Sequence, residues 1–154
     1  MRSNLRRNTT ALALLFTLAA CGEDTAEPKL EGGMTARIDG QAWTASITMA
    51  VRSSPGGVIS VSGSDQSNRS IGFAFLDAGT GTYEIKTGTP TNALLTMGEQ
   101  QWYVGGSSQG SGTITVTTLT DERIAGTFEF TAHPANANTT GTRAVTQGKF
   151  DVKF

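Results

Sequence analysis

Through residues 112–154 the chain alternates between apolar and polar side chains. Apolar residues fall at Ile114 and Val116, then Ile124, Phe128 and Phe130, and last Phe150, Val152 and Phe154, with Thr and charged residues between them. A period of two sets alternate side chains on opposite faces of an extended backbone, so the stretch predicts strands with one buried and one wet face. Phe128, Phe130, Phe150 and Phe154 are its expected core.

The same pattern runs through the preceding chain. Met34, Ala36 and Ile38 alternate with Thr35 and Arg37, and Asp39-Gly40 is a two-residue hairpin signal. A long return strand is expected from 43 to 52, with Trp43, Ala45, Ile47, Met49 and Val51 on one face and a turn at Pro55-Gly56-Gly57 after it. Strands at 58–63 and 70–75 flank a polar turn, and a short strand at 82–86 follows the turn of 77–81. Between 87 and 112 the signal weakens. Residues 93–97 and 101–104 read as strands, although Leu94-Leu95 also fits a helical turn. A last hairpin turns at Asp121-Glu122-Arg123, and a loop over 133–144 leads to the terminal strand.

Nine or ten short strands with close-spaced turns predict an all-β, antiparallel two-sheet β-sandwich, with a small β-barrel as the alternative. Composition agrees: glycine is abundant, at 19 residues, and charged residues make up only 16% of the chain. A transmembrane barrel is not expected from so few aromatics.

The first 20 residues follow a different rule. Arg2, Arg6 and Arg7 precede an apolar run that begins at Ala11, and the run ends in small residues, which is the pattern of a secretory signal peptide. The run is too short for a permanent membrane span. Leu18, Ala19, Ala20 and Cys21 resemble the bacterial lipobox, in which a diacylglyceryl group is attached to the cysteine thiol and the signal is cut before it. Cys21 is the single cysteine of the chain. Left free in an exported protein it is a reactive thiol in an oxidising compartment, and lipidation removes that liability. Each buried methylene contributes about 0.8 kcal/mol, so the two or three acyl chains of a bacterial lipoprotein hold firmly where one does not.

The sequence therefore divides into a signal at 1–20, the lipid attachment residue Cys21 with a polar tether to 33, and a β-domain at 34–154. A dozen tether residues reach up to about 40 Å when extended. Resemblance to Gram-negative lipoproteins also implies a destination: an Asp after the lipidated cysteine favours inner-membrane retention, and this chain has Gly22 there. The expected location is the cell envelope, lipid-anchored, at the outer membrane where the host has two.

Met34 to Trp43 (M-T-A-R-I-D-G-Q-A-W), then G-S-G-T-I-T, R-I-A-G-T-F-E-F-T-A and T-Q-G-K-F-D-V-K-F downstream, resemble a family of small uncharacterised bacterial lipoproteins of Bacteroidetes type. The resemblance covers both ends of the mature chain, while 53–109 adds nothing to it. It implies a lipobox, a short tether and one β-rich domain of unknown function, with no catalytic residue to carry over.

Few residues of the sequence offer chemistry. The chain has 12 basic and 13 acidic residues. Without Arg2, Arg6 and Arg7 the mature chain carries a net charge of about −4, which disfavours nucleic acid as a partner. One histidine, His133, is too few for a zinc or catalytic cluster and is expected in a solvated loop. Gly106-Ser107-Ser108-Gln109-Gly110 matches the G-x-S-x-G nucleophile elbow, which needs a helix after it, whereas a strand is expected here. A serine hydrolase using Ser108 and His133 is the most distant reading. Asp65, Asp77, Asp121 and Glu122 fall at expected turns, where Asp bonds its own backbone, and no calcium-loop run is present.

The aromatics offer a further option. Trp43 and Trp102 share parity with apolar neighbours and read as core, while Tyr103 takes the opposite parity and is the better surface contact. Trp102 and Tyr103 are the candidate ligand-binding pair. The leading expectation is a non-enzymatic envelope lipoprotein without a cofactor, held to the membrane by its lipid and binding an envelope partner or serving a structural role. A small-ligand or glycan-binding module is the alternative.

Overall fold

The structure, a computed structural model, describes residues 32–54 and 57–154. Eleven strands follow in chain order: β1 (Gly33–Ile38), β2 (Gln41–Thr44), β3 (Ile47–Arg52), β4 (Val58–Ser64), β5 (Arg69–Leu76), β6 (Gly81–Ile85), β7 (Asn92–Met97), β8 (Gln100–Val104), β9 (Gly110–Leu119), β10 (Arg123–Pro134) and β11 (Arg143–Lys153). Every pairing between these strands is antiparallel. Among the described residues there is no helix.

The strands form one curled, half-barrel sheet with two halves that face each other. One half runs β6-β9-β10-β11-β1-β2 and the other β8-β7-β5-β4-β3. Strand β10 joins them. Its first part is flanked by β9 and β11, and its last two residues, His133 and Pro134, pair with Tyr103 and Trp102 of β8. The all-β antiparallel expectation therefore holds, and the sandwich and barrel readings meet in a single sheet curled over its own core.

Aromatic rings fill the space between the halves. Phe73 on β5 packs against Phe128 at 5.2 Å and Phe150 at 5.1 Å, centroid to centroid. Phe128, Phe130 and Phe150 are all buried, as the alternation predicts. Phe154 is not. It lies beyond the end of β11 and is 37% exposed, held by a backbone bond to Glu122.

The larger correction concerns the expected long strand of 43–52, which is two strands. At Ala45 the amide donates to Met34 O, but at Ser46 it donates to Ser64 O, so the chain leaves β1 and joins β4 within one residue. Crossing between the halves reverses which parity faces the core. Trp43 is buried at 2%, while Ile47, Met49 and Val51, placed on its face by sequence, are exposed at 74%, 60% and 51%. Ala50 takes the inward place.

Local chemistry fixes the turns. Asp39 and Gly40 both adopt positive φ (48° and 80°), the paired conformation that a two-residue hairpin needs. Asp65 organises the β4–β5 turn: its carboxylate accepts from the amides of Ser67 and Arg69 and from the Arg69 guanidinium at 2.7 Å. Burial pushes the Asp65 carboxyl up, but these hydrogen bonds and the Arg69 charge outweigh it and hold the pKa below the ordinary 3.8. Residues 93–97 lie in β7, so Leu94-Leu95 is extended rather than helical. Gly33 already belongs to β1, pairing with Asp151, so the fold begins one residue inside the expected tether.

Candidate functional site

The lipid-attachment assignment, Leu18, Ala19, Ala20 and Cys21, lies outside the described residues. Trp102 and Tyr103 occupy opposite faces of β8. Trp102 is fully buried, donates from Nε1 to Gly141 O at 2.9 Å, and carries the Arg143 guanidinium 4.8 Å from its ring. Its face and its polar edge are both occupied, so it is a core anchor beneath the surface rather than a contact on it. Tyr103 is half-buried on the outer face, with Leu94 and His133 as its cross-strand neighbours.

His133 itself belongs to β10 rather than to a loop, because β8 takes over as its partner where β9 ends. Ser108 sits in a turn closed by its own amide donating to Gly105 O, and its carbonyl accepts from Thr87 Oγ1. Strand β9 follows at Gly110. The strand–turn–helix frame of a nucleophile elbow is thus not the frame of this turn.

Acidic side chains engage neighbouring cations. Asp77 is almost fully buried and accepts from Arg52 Nε at 2.7 Å, while the exposed Asp121 approaches the same guanidinium at 3.6 Å. Among the described residues no group of three or more His, Cys, Asp or Glu is placed to hold a metal ion. Beside this cluster an open cleft of about 450 Å³ separates β3 from the C-terminus, lined by Ala50, Val51, Arg52, Ser54, Asp121 and Phe154. Two smaller grooves, of about 340 and 270 Å³, flank Gly112 and Glu129 on the other half.

The most distinctive surface is the outer face of the β3-β4-β5-β7-β8 half. Strand register aligns Met49, Ser62, Gly72, Leu94, Tyr103 and His133 in one continuous row across it. On β3 the outward residues Ile47, Met49 and Val51 form an apolar ridge. Beside it the outward residues of β4 (Ser60, Ser62, Ser64) and β5 (Ser70, Gly72, Ala74) are all small, and they floor a trough two strands wide. Val58 and Leu76, a cross-strand pair exposed at 42% and 47%, close one end.

No Asp, Glu, Lys or Arg points outward from these five strands. The opposite half presents Arg37, Glu84, Glu129 and Lys149 between its threonines. Loss of charge together with exposed apolar side chains is what marks the core of an interaction surface. Sequence reasoning missed this face although part of the signal was present. Serines at 60, 62 and 64 and small residues at 70, 72 and 74 occupy wet positions that carry Thr or charge elsewhere.

Residues 31–152 match the family described as Domain of unknown function (DUF6252). Neither a curated protein nor a solved structure matches the chain. The match spans most of the sequence, and the chain belongs to that family.

Proposed function

We propose that this member of the DUF6252 family is a lipid-anchored protein of the bacterial cell envelope, acting by binding and without catalysis through the outer face of its β3–β8 half. The observation that carries the binding role is that face: an uncharged surface on which Ile47, Met49, Val51, Val58 and Leu76 stand exposed. Five large apolar side chains gathered on one side of a small domain mark a contact surface.

The anchor is supported by the sequence alone. Leu18-Ala19-Ala20-Cys21 ends an apolar run behind three arginines, and no second cysteine is available to pair with Cys21. The first strand opens at Gly33, so residues 22–32 separate the lipid from the fold. Gly22 after the cysteine favours the outer membrane in a host with two membranes. The test is fatty-acid labelling and fractionation of the full chain beside its Cys21→Ser variant. The wild type is expected to incorporate label and sediment with membranes, and the variant to do neither. Membrane association that survives the substitution contradicts the anchor.

A second reading, a glycan or small-ligand module, is favoured by Tyr103, a half-exposed ring set between Leu94 and His133 on the same face. A rise in melting temperature with a soluble glycan, abolished by Tyr103→Ala, would favour it.

A further inference from the structure

We infer that the outer face of β3, β4 and β5 is a self-association surface, covered by the same face of a second copy of this chain. The inference rests on the binding role proposed above and names the partner.

Its basis is shape. The ridge of Ile47, Met49 and Val51 and the trough of Ser60, Ser62, Ser64, Ser70, Gly72 and Ala74 lie side by side and run in the same direction, along the strands. A two-fold axis in the plane of contact, parallel to the strands and between ridge and trough, places each ridge in the trough of the other copy. An isologous interface needs this self-complementarity, in which one patch supplies both the projecting and the receiving half. Rotation about an axis across the strands sets ridge against ridge and leaves both troughs empty.

Charge and area agree with the arrangement. No ionised group points outward from these strands, so two copies of a mildly acidic protein meet here without burying an unpaired charge. Strands β3, β4 and β5 are 6, 7 and 8 residues long. At strand spacing and rise this gives a face about 14 Å wide and 20–27 Å long, and a face-to-face pair covers roughly 600–800 Å² in plan and, with side-chain relief, on the order of 1,000 Å² of accessible surface, the lower bound for a specific interface. Because the axis follows the strands, Val58 and Leu76 of both copies gather at the same end of the contact.

The test uses the full chain in the producing cell, with a photo-crosslinking benzoylphenylalanine at Met49 and a control placement at Thr127, exposed on the opposite half. A product of twice the monomer mass is expected at position 49 and not at 127. Sedimentation of the detergent-solubilised full chain should show a dimer that Met49→Arg, on the ridge, and Ser62→Trp, in the trough, each weaken by roughly tenfold or more. Crosslinking at 49 to a different protein overturns self-association while leaving the binding role standing. No product at 49, together with a monomer by sedimentation, overturns both.

Discussion

Phe128 on β10 lies directly across from Gly148 on β11, and its ring occupies the space that a side chain at 148 would need. A Cβ built at Gly148 falls 2.6 Å from the Phe128 ring and also crowds the Phe128 carbonyl oxygen. The neighbouring pair repeats the device in reverse, with Phe150 over Gly126. Two rings thus enter the core from adjacent strands, each lying over the glycine of the other.

Gly148→Ala is therefore expected to destabilise the fold by about 1–3 kcal/mol through overpacking, and Phe128→Ala by about 3–5 kcal/mol through the cavity it leaves. Urea unfolding checks both. A loss below about 1 kcal/mol for Phe128→Ala would place that ring outside the core.

The reversal of parity at Ala45-Ser46 makes β3 a second test. Met49→Ser, on the exposed face, should change the unfolding free energy of the dilute, monomeric protein by no more than about 0.5 kcal/mol. Ala50→Asp, one residue on, puts a carboxylate at a buried position and should cost several-fold more. Equal effects at the two positions would contradict the observed orientation of the strand.

Asp65 makes the stability of the fold depend on pH. Its pKa in the folded state is held below the unfolded value, so its contribution is fully present above the unfolded pKa of 3.8 and is lost as pH falls through the folded value. Asp65→Asn should cost about 1–3 kcal/mol at neutral pH, through hydrogen bonds made to a charged group, and the deficit should shrink below pH 4. Chemical denaturation at pH 7 and pH 3 measures it, and an unchanged deficit at both would contradict this account of the turn.

Much of the fold is legible in the sequence because a half-buried strand carries its burial in a period of two. Ile114, Ile124, Phe128 and Phe150 are inward as that period requires. Periodicity groups residues onto a face without saying which face is inward. On β3 the larger residues, Ile47, Met49 and Val51, are the outward set, and only the hydrogen bond from Ser46 to Ser64 shows why. The candidate surface was hidden for a related reason. It depends on β5 pairing with β7 and on β8 pairing with the last residues of β10, connections that bring Tyr103 beside His133 across 30 positions of chain. Parity separates the buried Trp102 from the half-buried Tyr103, and the depth of Trp102 follows from Gly141 and Arg143, which no local pattern reveals.

The most direct test of the central claim, that the outer face of β3–β5 is covered in the envelope, is the rate at which peroxide oxidises Met49, read by mass spectrometry against the buried Met34. In intact membranes Met49 should be protected nearly as well as Met34, and solubilisation with dilution to the monomer should release it to the fast rate of an exposed thioether. Fast oxidation of Met49 in both preparations would mean that nothing covers the ridge, and would contradict the account.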